Sequence, residues 1–336
     1  MRTYDYIRCS GSGNRFLLFD TLHSDPSGPD IAVFVREASR RFDVDGILLL
    51  THDGEGRFGM RMFNTDGSEA GMCGNGIRCA ARLAHERHAA GDTFAVVSGG
   101  RPYRITREEP IFDRLPTFGA EIPLALHGGD FPSAPSEGFI GRTIPTLDAE
   151  LRFTFLAPGN PHIVAAVDAR SRWLFGRDGR LNLDRLAALG ERANRLSETF
   201  PHGVNVSLYC LLSPQRLFAA TYERGVGLTS SCGTAMTSCA TAAALSGLCE
   251  FGRETDIWNR GGRVRCLPQR TPQGLVTRLT GNAAFETSGT LRFTASNGIE
   301  PASETPLDPP DYRRMADETA RALDEHYALQ ITDHHA

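Results

Sequence analysis

The chain has 336 residues, with 36 basic and 40 acidic side chains and a formal charge of −4, which excludes a polycation built for nucleic acid. Every basic residue is arginine and no lysine occurs, so a lysine Schiff base and a lysine-dependent phosphate loop are excluded on chemistry alone. With 40% hydrophobic residues the chain can bury cores of its own, and at roughly 150 residues per domain it has room for two.

The opening residues lack a signal-peptide apolar core, and no later run approaches the roughly 20 apolar residues of a membrane span. A cytoplasmic protein with no membrane contact is expected. The cysteines at 9, 73, 79, 210, 232, 239, 249 and 266 include no Cys-x-x-Cys pair and are expected as thiols.

Taken in chain order, residues 5–9 and 14–20 read as strands joined by the turn Gly11-Ser12-Gly13. Phe16 stands where the third glycine of a dinucleotide-binding turn belongs, which speaks against a Rossmann unit. A helix near 32–41 and strands at 46–50 and 59–63 follow. After a turn at Asp66-Gly67 the chain reads Met72-Cys73-Gly74-Asn75-Gly76, with Ile77, Ala80, Ala81 and Ala84 at helical spacing. This is a glycine turn feeding a helix N-terminus. Strands resume at 93–97 and 103–106, and the Pro/Gly-rich stretch 116–145 is the candidate domain boundary.

The second half repeats the pattern. A strand at 153–157 precedes Gly159-Asn160-Pro161-His162; a helix near 183–196 and strands at 204–209 and 216–222 lead to Ser231-Cys232-Gly233-Thr234-Ala235, which opens an alanine-rich helix ending near Gly247. Residues 275–293 offer closing strands. From 296 a Pro-rich linker is expected, then an amphipathic surface or interface helix near 312–329. The expected domains are 1–130, 131–295, whose last strand can cross back to the first half, and an extension, 296–336. His85-Glu86-Arg87-His88 has histidines three apart where a zinc-protease helix needs four, so no metal is expected. Terminal His334 and His335 read as a chain end.

A cysteine at a helix start meets the positive end of the dipole and unpaired N–H groups, which stabilise thiolate and bind carboxylate. Cys73 and Cys232 occupy matching turns in a weak domain-scale repeat. Related by a pseudo-twofold, the two thiols would face one another across an interdomain cleft. One thiolate would take an α-proton from one face and the opposite thiol would deliver a proton to the other. Backbone N–H groups of Gly74, Asn75, Gly233 and Thr234 would stabilise charge on the carboxylate, and no cofactor is needed. Cys79 and Cys239, on the following turns, read as core.

Together, Phe63-Asn64-Thr65-Asp66-Gly67 running into Cys73-Gly74-Asn75-Gly76-Ile77-Arg78-Cys79, Gly159-Asn160-Pro161-His162, Val204-Asn205-Val206 and Tyr222-Glu223-Arg224-Gly225 with Ser231-Cys232-Gly233-Thr234 closely resemble the diaminopimelate epimerase family over residues 4–294. The resemblance implies an α/β (α+β) fold of two pseudo-symmetric halves. Each is a mostly antiparallel sheet wrapped around a central helix, with the active site in the cleft and a homodimer as the common assembly. It implies an isomerase with Cys73 and Cys232 as acid/base thiols and Asn14, Asn64, Asn160 and Asn205 lining the amino-acid pocket. Glu223 and Arg224 would hold the distal ammonium and carboxylate, and His162 would help set thiol ionisation. Two positions depart from the family pattern: Arg15 replaces an acid, and Leu228 replaces a carboxylate four residues before Cys232. Both are expected near the pocket. LL- to meso-diaminopimelate epimerisation is the leading expectation. A racemase of another amino acid such as histidine, a thiol-disulfide redox enzyme and a non-catalytic amino-acid-binding protein are the alternatives.

Overall fold

A computed structural model of the chain describes residues 2–28, 30–52, 57–168, 171–176, 180–294, 298–308 and 311–332, the last helix by its backbone alone from 326 onward. It divides into two compact units: Met1–Glu121 with Thr280–Arg313, and Ile122–Leu279 with Arg314–Ala336. The first break therefore falls between Glu121 and Ile122, and the region after 296 is shared between the units.

In the first unit, strand Arg2–Gly11 pairs antiparallel with Asn14–Asp20. The chain then crosses through helix Ile31–Phe42 to Gly46–His52, which runs parallel to Asn14–Asp20. Phe58–Asn64 returns antiparallel. A second crossover, helix Gly74–His88, leads to Thr93–Ser98, parallel to Phe58–Asn64 and followed by Arg101–Glu108 antiparallel.

The second unit repeats this order of pairings. Asp148–Leu156 pairs antiparallel with His162–Ala166; helix Asp184–Arg195 crosses to the parallel strand Asn205–Ser213. Arg216–Glu223 returns antiparallel, helix Gly233–Leu245 crosses to the parallel Thr255–Asn259, and Gly262–Thr271 pairs antiparallel with it. The weak Cys-Gly repeat in the sequence is thus a repeat of topology, with the mixed, mostly antiparallel sheets expected.

Each cysteine-led helix is buried on all sides over its first turns, as a helix stretch passing through a core must be. Gly74 through Ala84 are buried without interruption, and Ile77, Ala80, Ala81 and Leu83 pack against Ile7, Phe16, Leu48, Met60, Val96, Ile105 and Phe285. Helix Gly233–Leu245 is buried from Gly233 to Ala244. Its Gly, Ala, Ser, Thr and Cys side chains let strands approach on several sides; their hydroxyls bond back to carbonyls one turn earlier, as Thr237 does to Gly233 and Thr241 to Thr237. The amphipathic helices Ile31–Phe42 and Asp184–Arg195 cover other apolar surfaces, through Phe34, Val35 and Ala38 and through Leu186, Leu189 and Ala193.

The expected linker after 296 is corrected. Gly298–Pro306 is a strand, antiparallel to Ala284–Thr294. Its prolines misled because Pro cannot donate to a ladder, yet an edge strand tolerates it, and Pro301 sits at a register shift opposite Leu291. Asp308 then accepts from Arg82 on the central helix and from the Phe285 N–H. The segment thus returns to the first unit's core. The last helix runs Asp311–Thr332, and His334 and His335 lie outside the described residues. Among the described residues, no helix is long and apolar enough to cross a membrane.

Candidate active site

Cys73 is the N-cap of helix Gly74–His88, with extended backbone at φ −135°, ψ 111°, and its Sγ accepts from the Gly76 N–H at 3.4 Å. Cys232 is the N-cap of helix Gly233–Leu245 with nearly the same backbone, φ −127°, ψ 113°. The two thiols therefore begin equivalent helices in equivalent units. N-capping normally falls to oxygen side chains, so a sulfur there twice places a nucleophile where helix N–H groups and dipole favour negative charge.

Around Cys73 the turn is held by a fully buried guanidinium that the sequence reading did not assign. Arg78 donates to Gly74 O at 2.7 Å, Ser12 Oγ at 2.8 Å, Asn75 Oδ1 at 3.1 Å and Asn282 O at 3.2 Å. Its signal was an arginine one turn after Gly74, inside the run Gly74–Ala84 that is buried without interruption. With Asn75 Oδ1 facing Arg78, Nδ2 donates to Asn14 Oδ1 at 2.5 Å. Asn282 accepts from Ser12 N–H at 2.9 Å and donates to Ser10 O at 3.1 Å. Asn14, Asn75, Gly74 and Cys73 are thereby brought into one bonded turn. Asn64 is exposed, and its Nδ2 bond goes to Ser68 within its own turn, at 3.0 Å.

In the second unit, Asn160, His162, Asn205, Glu223, Cys232 and Thr234 form one cluster. His162 Nε2 lies 3.0 Å from Thr234 Oγ1, 3.1 Å from Asn160 Oδ1 and 3.3 Å from Asn205 Nδ2. The Arg224 backbone N–H donates to Asn205 Oδ1 at 2.9 Å, so Asn205 Nδ2 donates to His162 and the ring proton belongs on Nδ1. An amide flip of Asn160 would satisfy that tautomer as well. Nδ1 is buried with no hydrogen-bond partner among the described residues. Burial, assisted by the Arg224 charge, holds the imidazole pKa down at about 3, so the ring is neutral at physiological pH.

Thr234 Oγ1 also stands 3.3 Å from Cys232 Sγ. Burial pushes the Cys232 thiol well above its ordinary pKa; the neighbouring Glu223 charge pushes the same way and the Thr234 hydroxyl opposes it. The Glu223 carboxyl is itself raised by burial, opposed by its bonds with Thr229 and Cys232. Glu223 thus contacts the thiol. The Arg224 guanidinium donates to His202 O at 2.7 Å, and Gly233 opens the helix with its carbonyl accepting from Thr237.

The departures from the family pattern are placed as follows. The Arg15 guanidinium bonds Asp43 at 3.0 Å in an exposed pair, while its N–H donates to Asp45. Leu228 pairs with Tyr222 across a short ladder and packs on the apolar core of the second unit. Cys79 and Cys239 are fully buried, as expected of core.

The fold is shared with solved structures at low sequence identity. A PhzF-family phenazine biosynthesis protein of Bacillus anthracis superposes with a TM-score of 0.63 at 13% identity, covering 87% of this chain and all of that one. A hydroxyproline epimerase from Agrobacterium vitis superposes at 0.56 and 13% identity, covering 92% of this chain and 93% of that one. The class is therefore the PhzF, racemase and epimerase fold. At the sequence level, residues 6–110 match the diaminopimelate epimerase family profile. Diaminopimelate epimerase of Listeria monocytogenes is 32% identical over 96% of this chain and 99% of its own length, and that of Clostridium acetobutylicum 31% identical over 85% of each. The chain belongs to the diaminopimelate epimerase family, and is an isomerase.

Proposed function

We propose that the protein interconverts LL- and meso-diaminopimelate by a two-thiol mechanism, with Cys73 and Cys232 serving opposite faces of the α-carbon. The observation that carries the reading is the matched pair of N-cap cysteines, alike in backbone conformation and each opening the buried helix of a repeated unit. Inversion needs a base on one face and an acid on the other. A thiolate takes the α-proton, the electron pair of the broken C–H bond delocalises into the carboxylate, and the opposite thiol returns a proton to the other face. The first sulfur is left protonated and the second anionic, so the reverse reaction runs by the same groups.

Burial and Glu223 hold Cys232 in its protonated form, which suits it to be the resting acid. His162, neutral and bridged to the thiol through Thr234, adds no positive charge that would draw the proton off. The diaminopimelate assignment is supported by the names of the curated relatives over nearly the full chain. The pairing of Arg15 with Asp43 supports it too, because the added positive charge is balanced by a neighbouring carboxylate.

Proton NMR in deuterium oxide tests the reading, with freshly reduced enzyme and LL-diaminopimelate, L-histidine, L-lysine, L-glutamate and L-arginine in separate samples. Loss of the α-proton signal for diaminopimelate alone is expected. Exchange confined to another amino acid would overturn the substrate, and exchange with none of them would overturn the chemistry.

A further inference from the structure

Helix Gly74–His88 carries Cys73 at one end; at the other, about 20 Å away along the axis, His88 meets two residues from the start of the chain. Asp20 ends strand Asn14–Asp20 and is only 4% exposed. His88 Nε2 lies 2.7 Å from Asp20 Oδ2, and His23 Nε2 lies 4.0 Å from the same oxygen. The other carboxylate oxygen accepts from the Leu22 N–H at 3.3 Å, which leaves Oδ2 turned to the imidazoles. The two rings lie almost parallel, 12° apart with centroids at 5.7 Å. One nitrogen of each ring and one carboxylate oxygen all fall within 4.8 Å of one another. Asp20 and His23 also line a cavity of about 750 Å³ that Ser24, Tyr6 and Arg87 share.

A histidine–aspartate ion pair accounts for His88 and Asp20 but not for a second imidazole stacked on the first with its Nε2 directed at the same buried oxygen. Two imidazoles and one carboxylate are the ligand set of zinc, nickel and iron(II). We propose that Asp20 Oδ2, His23 Nε2 and His88 Nε2 form a divalent transition-metal site whose remaining coordination positions open to this cavity. Ligand atoms about 2.0–2.2 Å from a shared zinc stand about 3.3–3.6 Å apart in its tetrahedral geometry. The Asp20–His88 contact therefore needs to open by about 0.6–0.9 Å, and exposed His23 has to close by about half an ångström. Bound there, the ion would tie the turn after Asp20 to the C-terminal end of the Cys73 helix. Nothing in this inference depends on the substrate or the thiol mechanism.

The test is calorimetric titration of chelator-stripped, reduced full-length protein with zinc, repeated with His23→Ala and Asp20→Asn, alongside the visible spectrum with cobalt(II). One zinc per chain is expected, weakened at least tenfold by His23→Ala, whose exposed position leaves the fold intact by circular dichroism. The cobalt spectrum should show ligand-field bands without thiolate charge transfer. Absence of zinc binding, unchanged affinity in His23→Ala, or a thiolate-to-cobalt band would each overturn the proposal.

Discussion

Glu223 and His162 act on one sulfur by different means. Glu223 places negative charge beside Cys232 and holds it as a thiol, so Glu223→Gln should lower the pH at which Cys232 is alkylated by iodoacetamide, followed by mass spectrometry. An upward shift or none would remove the charge from the account. In the wild type Cys73, partly exposed, should label before Cys232, which is 6% exposed. His162 has a stability signature. It stays neutral in the fold down to about pH 3, whereas the unfolded chain protonates it near its ordinary value of about 6.5. The unfolded state therefore binds more protons throughout that window, and stability falls as pH falls through it, by about 1.4 kcal/mol per pH unit at the steepest. Denaturant unfolding from pH 7 to 5 should show this slope in the wild type and a shallower one in His162→Gln. Equal slopes would mean that the ring does not titrate this way.

At the scale of elements, the strand, glycine turn and helix around each cysteine were legible because glycine and small-residue spacing report local backbone. The buried links between such elements were not. Arg78 ties Ser12, Asn75 and Asn282 together, a junction of residues distant in sequence that no periodicity records. His88 was read within His85-Glu86-Arg87-His88, yet its partner is Asp20, whereas His85 is engaged by the Ala90 carbonyl at 2.8 Å. The strand Gly298–Pro306 was hidden by its prolines, which only an edge position explains. Gly11 marks how closely these elements meet: a Cβ there would stand 2.5 Å from the backbone oxygen of Asn75. Gly11→Ala should therefore destabilise the fold by about 1–3 kcal/mol and lower turnover by displacing the turn that carries Cys73. Urea midpoints and steady-state rates measure both, and an unchanged midpoint would show that the turn gives way freely.

At the scale of the molecule, the same order of antiparallel and parallel pairings occurs twice, with a cysteine capping the second crossover helix each time. The sequence disclosed that duplication only through its two Cys-Gly turns and the family motifs around them, because strands need only apolar alternation and leave little identity between copies. Nor did it disclose that the strand Gly298–Pro306 completes the first unit, since the ladder joins segments by backbone hydrogen bonds. A duplicated unit with one thiol apiece supplies the acid and the base that the proposed inversion uses, and the central claim is that both thiols are needed. The most direct measurement compares wild type, Cys73→Ala and Cys232→Ala in deuterium oxide, following α-proton exchange and stereochemical inversion of LL- and meso-diaminopimelate in separate reactions. The account predicts that each single variant loses inversion at least a thousandfold, with wild-type product carrying deuterium at the inverted carbon. Full inversion by either variant, or inverted product that keeps its original α-proton, would contradict it.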